Sequence, residues 1–249
     1  MKWQALVLAG ERPEGDALAK AEGAPTKAFI EIAGKPMIAH VLETLSAVGD
    51  IASITVSLSP SAPALPDGPW RRIASAAGPS ASVAQAFQTI GPPLLVTTAD
   101  NPMMRPQTVD TFLAEATSLD AAAIAGIARE ETATKIEGAP QRSVMRFRDG
   151  GVNGCNLFAL KTAEAAAVIA FWQRLEGLRK RPLALAAQIG PLIAARFLAG
   201  KLDLAEAKAA LARKTGAPVG TVTLSDPLAP HDVDKPAHLA FARRILDTA

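Results

Sequence analysis

The sequence predicts a three-layer α/β/α sandwich around a mostly parallel, mixed sheet, with a helical lobe toward the C-terminus. Three observations predict it. Short apolar runs alternate with amphipathic helical segments through the first half of the chain, as parallel strands covered on both faces require. The first such run, Trp3-Gln4-Ala5-Leu6-Val7-Leu8-Ala9-Gly10, breaks into a polar loop that leads to Pro25-Thr26-Lys27. A carboxylate, Asp100, follows the strongly apolar run Leu94-Leu95-Val96-Thr97-Thr98-Ala99, at the strand end where open α/β sheets place ligands.

The elements follow in order. Residues 5–9 form a buried strand, and residues 36–48 a helix with Met37, Ile38, Val41, Leu42, Leu45 and Val48 on one face. Residues 53–58 are β-branched and read as a second strand, followed by a Pro/Ser/Ala loop over 59–69 and a short strand over 72–75. A helix over 82–90 takes Ser80 or Ser82 as its N-cap, Gly91-Pro92-Pro93 stops it, and 94–98 is a strand. A helix over 107–119 and a strand over 121–127 complete the alternation, whose crossovers are expected to be right-handed. Residues 143–147 and 156–160 read as two strands around a turn at Asp149-Gly150-Gly151. Residues 162–216 form the lobe, with helix breaks at Gly190-Pro191 and Gly200. A last strand over 218–224 precedes a helix with Pro236 in its first turn, which Asp234 is expected to cap. The whole is read as a single domain, residues 1–249, with the lobe inserted before its last strand and helix.

A chain of 249 residues that is 49% hydrophobic can bury a sizeable core. Its 26 basic and 24 acidic side chains leave a net charge of +2 and no dense basic stripe, so nucleic acid is not an expected partner. One cysteine, Cys155, allows no internal disulfide and suits a reducing cytoplasm; no adjacent base activates it. The N-terminal apolar run is too short for a secretory signal. Residues 182–200 are interrupted by Gln188, Gly190, Pro191 and Arg196, so no membrane-spanning helix is expected. Arg179-Lys180-Arg181 ahead of that apolar segment fits either a buried lobe or peripheral contact with a membrane surface.

The candidate chemistry is phosphate and hard-cation chemistry. Asp100 at a strand end suits Mg²⁺ (or Mn²⁺), which takes one or two carboxylates and completes its shell with water and substrate phosphates. Asp232, in His231-Asp232-Val233-Asp234, is a second metal ligand or a solvated loop residue, and only the fold can bring it to Asp100. Lys27 supplies a point charge for phosphates; Arg12 or Lys20 could add another, and Gly10 lets backbone amides approach. Lys35 reads as a turn residue. Ser80 and Ser82 serve as caps or present hydroxyls to a base edge, and Asn153 and Asn156 form turns or read an acceptor's hydroxyls. His40 falls on the polar side of its helix, and no Ser-His-Asp order, zinc set or Walker A pattern occurs. Asp232-Val233-Asp234 is also an Asp-x-Asp sequence, as many sugar-nucleotide-dependent glycosyltransferases use for metal; a non-catalytic nucleotide-binding module is the third alternative.

Leu6-Val7-Leu8-Ala9-Gly10, Pro25-Thr26-Lys27 and Ile32-Ala33-Gly34-Lys35-Pro36-Met37-Ile38 together resemble the opening of the MobA-like nucleotidyltransferases. These are relatives of molybdenum-cofactor guanylyltransferase and methylerythritol-phosphate cytidylyltransferase, with the nucleotide-diphospho-sugar transferase type of fold. Val96-Thr97-Thr98-Ala99-Asp100-Asn101-Pro102 resembles their metal-binding strand end, Asp232-Val233-Asp234-Lys235-Pro236 their second metal-ligand segment, and Ser82-Val83-Ala84-Gln85-Ala86 the base-proximal helix start of the cytidylyltransferase branch. The resemblance covers about residues 1–160 and 218–249. It implies a nucleoside triphosphate bound by Leu8, Ala9, Gly10, Arg12 and Lys27, with Ser82 near the base and Mg²⁺ on Asp100 and Asp232. It also implies catalytic roles for Lys27, Asp100 and Arg12, and transfer of a nucleotidyl group to a phosphorylated, conceivably lipid-linked, acceptor with release of pyrophosphate. The chain departs from the family's compact Gly-x-Gly-Thr-Arg-Met loop, carrying Gly10-Glu11-Arg12-Pro13-Glu14-Gly15-Asp16 instead.

Overall fold

The structure is a computed structural model that describes residues 1–11, 15–178 and 181–247. The strands are β1 (Trp3–Ala9), β2 (Glu31–Ile32), β3 (Lys35–Pro36), β4 (Ile51–Leu58), β5 (Trp70–Ala74), β6 (Leu94–Thr98), β7 (Ala123–Arg129), β8 (Met145–Phe147), β9 (Gly150–Leu160) and β10 (Val219–Thr223). The helices are α1 (Ala17–Ala21), α2 (Met37–Ser46), α3 (Pro79–Ile90), α4 (Pro106–Ser118), α5 (Glu130–Ala133), α6 (Ala165–Leu178), α7 (Pro182–Ile189), α8 (Pro191–Leu198), α9 (Leu204–Thr215) and α10 (Pro236–Leu246). One sheet runs β10-β7-β9-β6-β1-β4-β5, with β8 hydrogen-bonded to β9. Strand β9 is antiparallel to both β6 and β7; the β1, β4, β5, β6, β7 and β10 pairs are parallel. The mixed, mostly parallel sheet expected from the alternation is therefore present.

Both faces of the sheet are covered. Ile38, Val41, Leu42 and Leu45 of α2 and Val109, Phe112, Leu113 and Ala116 of α4 pack on Ala5, Val7, Val56 and Leu95. On the other face, Val83, Ala86 and Phe87 of α3 and Ile169 of α6 cover Leu6, Leu94, Val96 and Leu160. A smaller cluster joins Met37, Ile30 and Ile32 to Met103, Leu228, Val233 and, from α10, Leu239, Phe241 and Ala242. This third cluster matters most for function, because it pins residues 228–233 beside the end of β6.

Several local expectations are corrected. Strand β9 starts at Gly150, six residues before the run at 156 that marked it; three glycines and an asparagine in 150–154 hid the strand. Helix α3 begins at Pro79 with Gly78 at its N-cap, so neither Ser80 nor Ser82 caps it. His40 is buried, not on a polar face, with Nε2 2.9 Å from the Ile32 carbonyl oxygen. Helix α10 has Lys235 at its N-cap with no side-chain capping bond, so Asp234 is not the cap. The lobe breaks at Gly190, where α7 gives way to α8.

The buried histidines set an acid limit on stability. Burial pushes His40 below its ordinary value of 6.5, against the opposing hydrogen bond to Ile32. Burial shifts His231 and His238 in the same direction. At these three sites the folded chain therefore binds fewer protons than the unfolded chain as pH falls below 6.5. The stability these neutral rings contribute is present above that value and is lost as pH falls through their lowered folded values. Calorimetric midpoints should decline on acidification from neutrality to about pH 5, and His40→Gln, which does not titrate, should give a shallower decline.

Candidate active site

The site lies at the carboxyl ends of β1 and β6. Strand β6 delivers Asp100 just past Thr98, and the backbone N–H of Ala99 donates to the Leu8 carbonyl at 2.9 Å, which ties the ends of β6 and β1 together. The next residue, Asn101, is buried and donates through Nδ2 to the carbonyl of Ala229 at 3.1 Å. The N–H of Val233 in turn donates to the Asp100 carbonyl at 2.7 Å. Val233 is fully buried in the third cluster, so the acids on either side of it, Asp232 and Asp234, are held on opposite sides of an anchored residue.

Lys27 opens a short helical turn, Lys27–Phe29, at the end of the loop from β1. Its Nζ lies 2.6 Å from Asp100 Oδ2 and 2.6 Å from Asp234 Oδ1. Burial alone would push this ammonium down, but the charge and hydrogen bond of Asp100, then those of Asp234, outweigh it and hold Lys27 well above the ordinary lysine range. Burial likewise works to raise Asp234, and Lys27 overcomes it, leaving the carboxyl below its ordinary value. Asp234, read from sequence as a helix cap, is thus the second carboxylate on Lys27.

Asp232 faces a different cation. Arg142, in the segment before β8, donates through Nη2 to Asp232 Oδ1 and through Nη1 to the Asp232 carbonyl at 3.0 Å, while Nη1 is 2.9 Å from His238 Nδ1. Asn156 Nδ2 donates to the other carboxylate oxygen at 2.9 Å. Asn156 has a left-handed backbone (φ 50°) where the pairing of β7 with β9 slips its register, and this bulge turns its amide toward Asp232. Burial and the charge of Asp100 raise the Asp232 carboxyl above its ordinary value, against Arg142. Asp100 and Asp232, 132 residues apart, are therefore brought close enough to repel one another.

The remaining candidates divide. Gly10 is exposed, and a Cβ there would stand 3.2 Å from Ser75 Cβ, so the close approach of the β5 loop explains the glycine. Leu8 is half-buried and Ala9 buried at the end of β1. Asp16, which could have repelled phosphate, instead caps α1 by accepting from Leu18 and Ala19 N–H. Arg12 lies outside the described residues. Ser82 is buried, and its Oγ accepts from Ala76 N–H at 2.9 Å, so its hydroxyl holds the β5–α3 loop. Asn153 donates to the Ser143 carbonyl at 2.8 Å. Cys155 is buried, and burial pushes its thiol up to about 12, consistent with a packing role. The residues that sequence reasoning missed are Arg142 and the Lys27-binding role of Asp234. No spacing or motif marked Arg142, and Asp234 was masked by its place ahead of a proline-started helix.

The donor set fits a divalent cation. Asp100 Oδ1 is buried and has no hydrogen-bond partner, while Asp232 is raised by burial and then by the charge of Asp100, a repulsion that a cation relieves. Among the described residues no group of three or more His, Cys, Asp or Glu side chains is arranged to hold a metal. An ion here would need oxygens from substrate and water, which is the habit of Mg²⁺.

A mostly parallel sheet with a lysine clasped by Asp100, just past a central strand, and by Asp234, just ahead of α10, has its charged cluster where open α/β folds bind nucleotides and other ligands. The chain belongs to the MobA-like NTP transferase domain family, whose model matches residues 5–218, and it is a nucleotidyltransferase. It is similar to a hypothetical transferase from Thermus thermophilus at 29% identity, with a TM-score of 0.83 over 96% of this chain and 100% of the other. Two further likenesses concern the fold. One is 2-C-methyl-D-erythritol 4-phosphate cytidylyltransferase, also from Thermus thermophilus, at 17% identity and TM-score 0.55, covering 99% of each chain. The other is CMP:2-keto-3-deoxy-manno-octonic acid synthetase, at 15% identity and TM-score 0.58, covering 100% of this chain and 99% of that one. Among curated proteins none matches the sequence.

Proposed function

We propose that the chain transfers a nucleoside monophosphate from a nucleoside triphosphate to a phosphorylated small-molecule acceptor, with Mg²⁺ held by Asp100 and Asp232. The observation that carries this reading is the Lys27 ammonium at 2.6 Å from both Asp100 and Asp234, beside a second, unsatisfied Asp100 oxygen. An acceptor phosphate oxygen bonds to the α-phosphorus, the bond from that phosphorus to the β-bridging oxygen breaks, and the electron pair leaves with pyrophosphate. No general base is required, because the nucleophile is already an oxyanion, and the three histidines, all buried, need play no part. Lys27 offers its charge to the triphosphate, and Asp100 and then Asp234 hold its ammonium in place at the strand ends. A bound divalent ion supplies Lewis-acid charge for the phosphate oxygens. Arg142 and Asn156 orient the Asp232 carboxylate. A triphosphate donor is further supported by the CTP bound to the synthetase of similar fold.

The test is a thermal-shift series with each of the four common ribonucleoside triphosphates, with and without Mg²⁺, followed by pyrophosphate release with phosphorylated acceptors, soluble and lipid-linked. One triphosphate at roughly a hundredfold excess over its Kd should stabilise the chain by about 2.7 kcal/mol, and only with the metal present. If none of the four shifts the midpoint, the reading is wrong.

A further inference from the structure

The helices α7 and α8 leave much of their apolar surface open, with Leu183, Leu192 and Leu198 exposed and Leu185, Ile189 and Ile193 half-buried. Their sequences are almost wholly apolar, Pro-Leu-Ala-Leu-Ala-Ala-Gln-Ile and Pro-Leu-Ile-Ala-Ala-Arg-Phe-Leu, yet none of their described side chains is buried. Leu183 is 87% exposed, Leu192 72% and Leu198 85%, the three most exposed large apolar residues among those described. Phe197 packs edge-on against Phe147 of β8 at 5.6 Å and so marks the inner side of α8. At about 100° per residue, Leu192 and Leu198 then both fall on the outer half of that helix.

The charge of this region is equally lopsided. Residues 179–216 carry eight basic side chains and two acidic ones, Asp203 and Glu206, a net +6 in a chain whose total is +2, so the remaining residues sum to −4. Both acids are already taken: Asp203 pairs with Arg148, and Glu206 with Arg196 at 2.7 Å. An exposed apolar surface on a segment of unbalanced positive charge is complementary to an apolar layer under an anionic surface. The same charge opposes a symmetric contact with a second copy, which would set two +6 regions face to face. Among the described residues no helix is long and apolar enough to cross a membrane.

We propose that α7 and α8 form an interfacial anchor that seats the protein on an anionic lipid bilayer, with Leu183, Leu192 and Leu198 entering the headgroup boundary. These leucines are not among the residues placed at the Lys27 cluster, so the inference stands or falls independently of the transfer chemistry.

The experiment is flotation of the full-length chain with phosphatidylcholine vesicles and with vesicles of equimolar phosphatidylcholine and phosphatidylglycerol. The chain should float with the anionic vesicles and not with the neutral ones, and molar salt should release it. The triple variant Leu183→Ser, Leu192→Ser, Leu198→Ser should lower anionic-vesicle binding by at least about tenfold while keeping its circular dichroism, since it alters only exposed positions. Sedimentation velocity of both forms completes the test. No flotation, equal flotation with both vesicle types, or undiminished binding by the triple variant would each overturn the proposal. So would a wild-type dimer that the triple variant converts to a monomer.

Discussion

Asp100→Asn is expected to lower pyrophosphate release by about a thousandfold while leaving a folded chain. The asparagine is isosteric and leaves untouched the backbone carbonyl that accepts from Val233, so the end of β6 keeps its place. What is lost is a negative charge at the point where two elements converge on Lys27. Lys27 retains Asp234, so the fold should lose about 1.5–3 kcal/mol, the usual scale for a hydrogen bond to a charged group. In a chain of this size that is a fall of several degrees in the thermal midpoint. The diagnostic readout is the metal dependence of triphosphate binding. It should vanish in the variant, since the buried, unpartnered Oδ1 becomes part of a neutral amide with far less affinity for a cation. Activity within tenfold of the parent would remove Asp100 from the mechanism.

The readable parts of this molecule were those with strong local signals. Apolar runs such as Leu94 to Ala99 and the face of α2 are set by burial, and burial leaves its periodicity in the sequence. Asp100 and Lys27 were legible because each ends a strand or a loop in a pattern with few structural explanations. Strand β9 was half hidden because its first residues are glycine and asparagine, and their pairing comes from the neighbouring strands rather than from propensity. Ser82 and Asp234 were misread for one reason. Capping is a local rule, and tertiary partners 6 and 207 residues away took their side chains instead. Arg142 left no trace at all, since a single basic residue in an irregular segment acquires meaning only from the carboxylate that the fold places opposite it. The extended first loop departs from the family pattern, and its Arg12 lies outside the described residues.

That invisible arginine makes the sharper prediction for stability. The Arg142 and Asp232 side chains are only 12% and 16% exposed, so removing one partner leaves a largely buried charge unpaired. Arg142→Leu should cost about 3 kcal/mol, or roughly 6–12 °C in the midpoint. Asp232 is already raised by burial and by Asp100, with Arg142 opposing that rise. Without the guanidinium its carboxyl should climb further, so the acid limb of the pH–rate profile should move to higher pH in the variant. Adding Asp232→Asn to Arg142→Leu removes the stranded charge and should recover most of the lost stability, as double-mutant logic requires for a pair in contact. It should not recover transfer, because the second carboxylate beside Asp100 is then gone. If the double variant is no more stable than Arg142→Leu alone, the arginine is held by His238 and the backbone rather than by the carboxylate. If the double variant is active, Asp232 is no part of the cation site, and the chemistry rests on Asp100 and Lys27 alone.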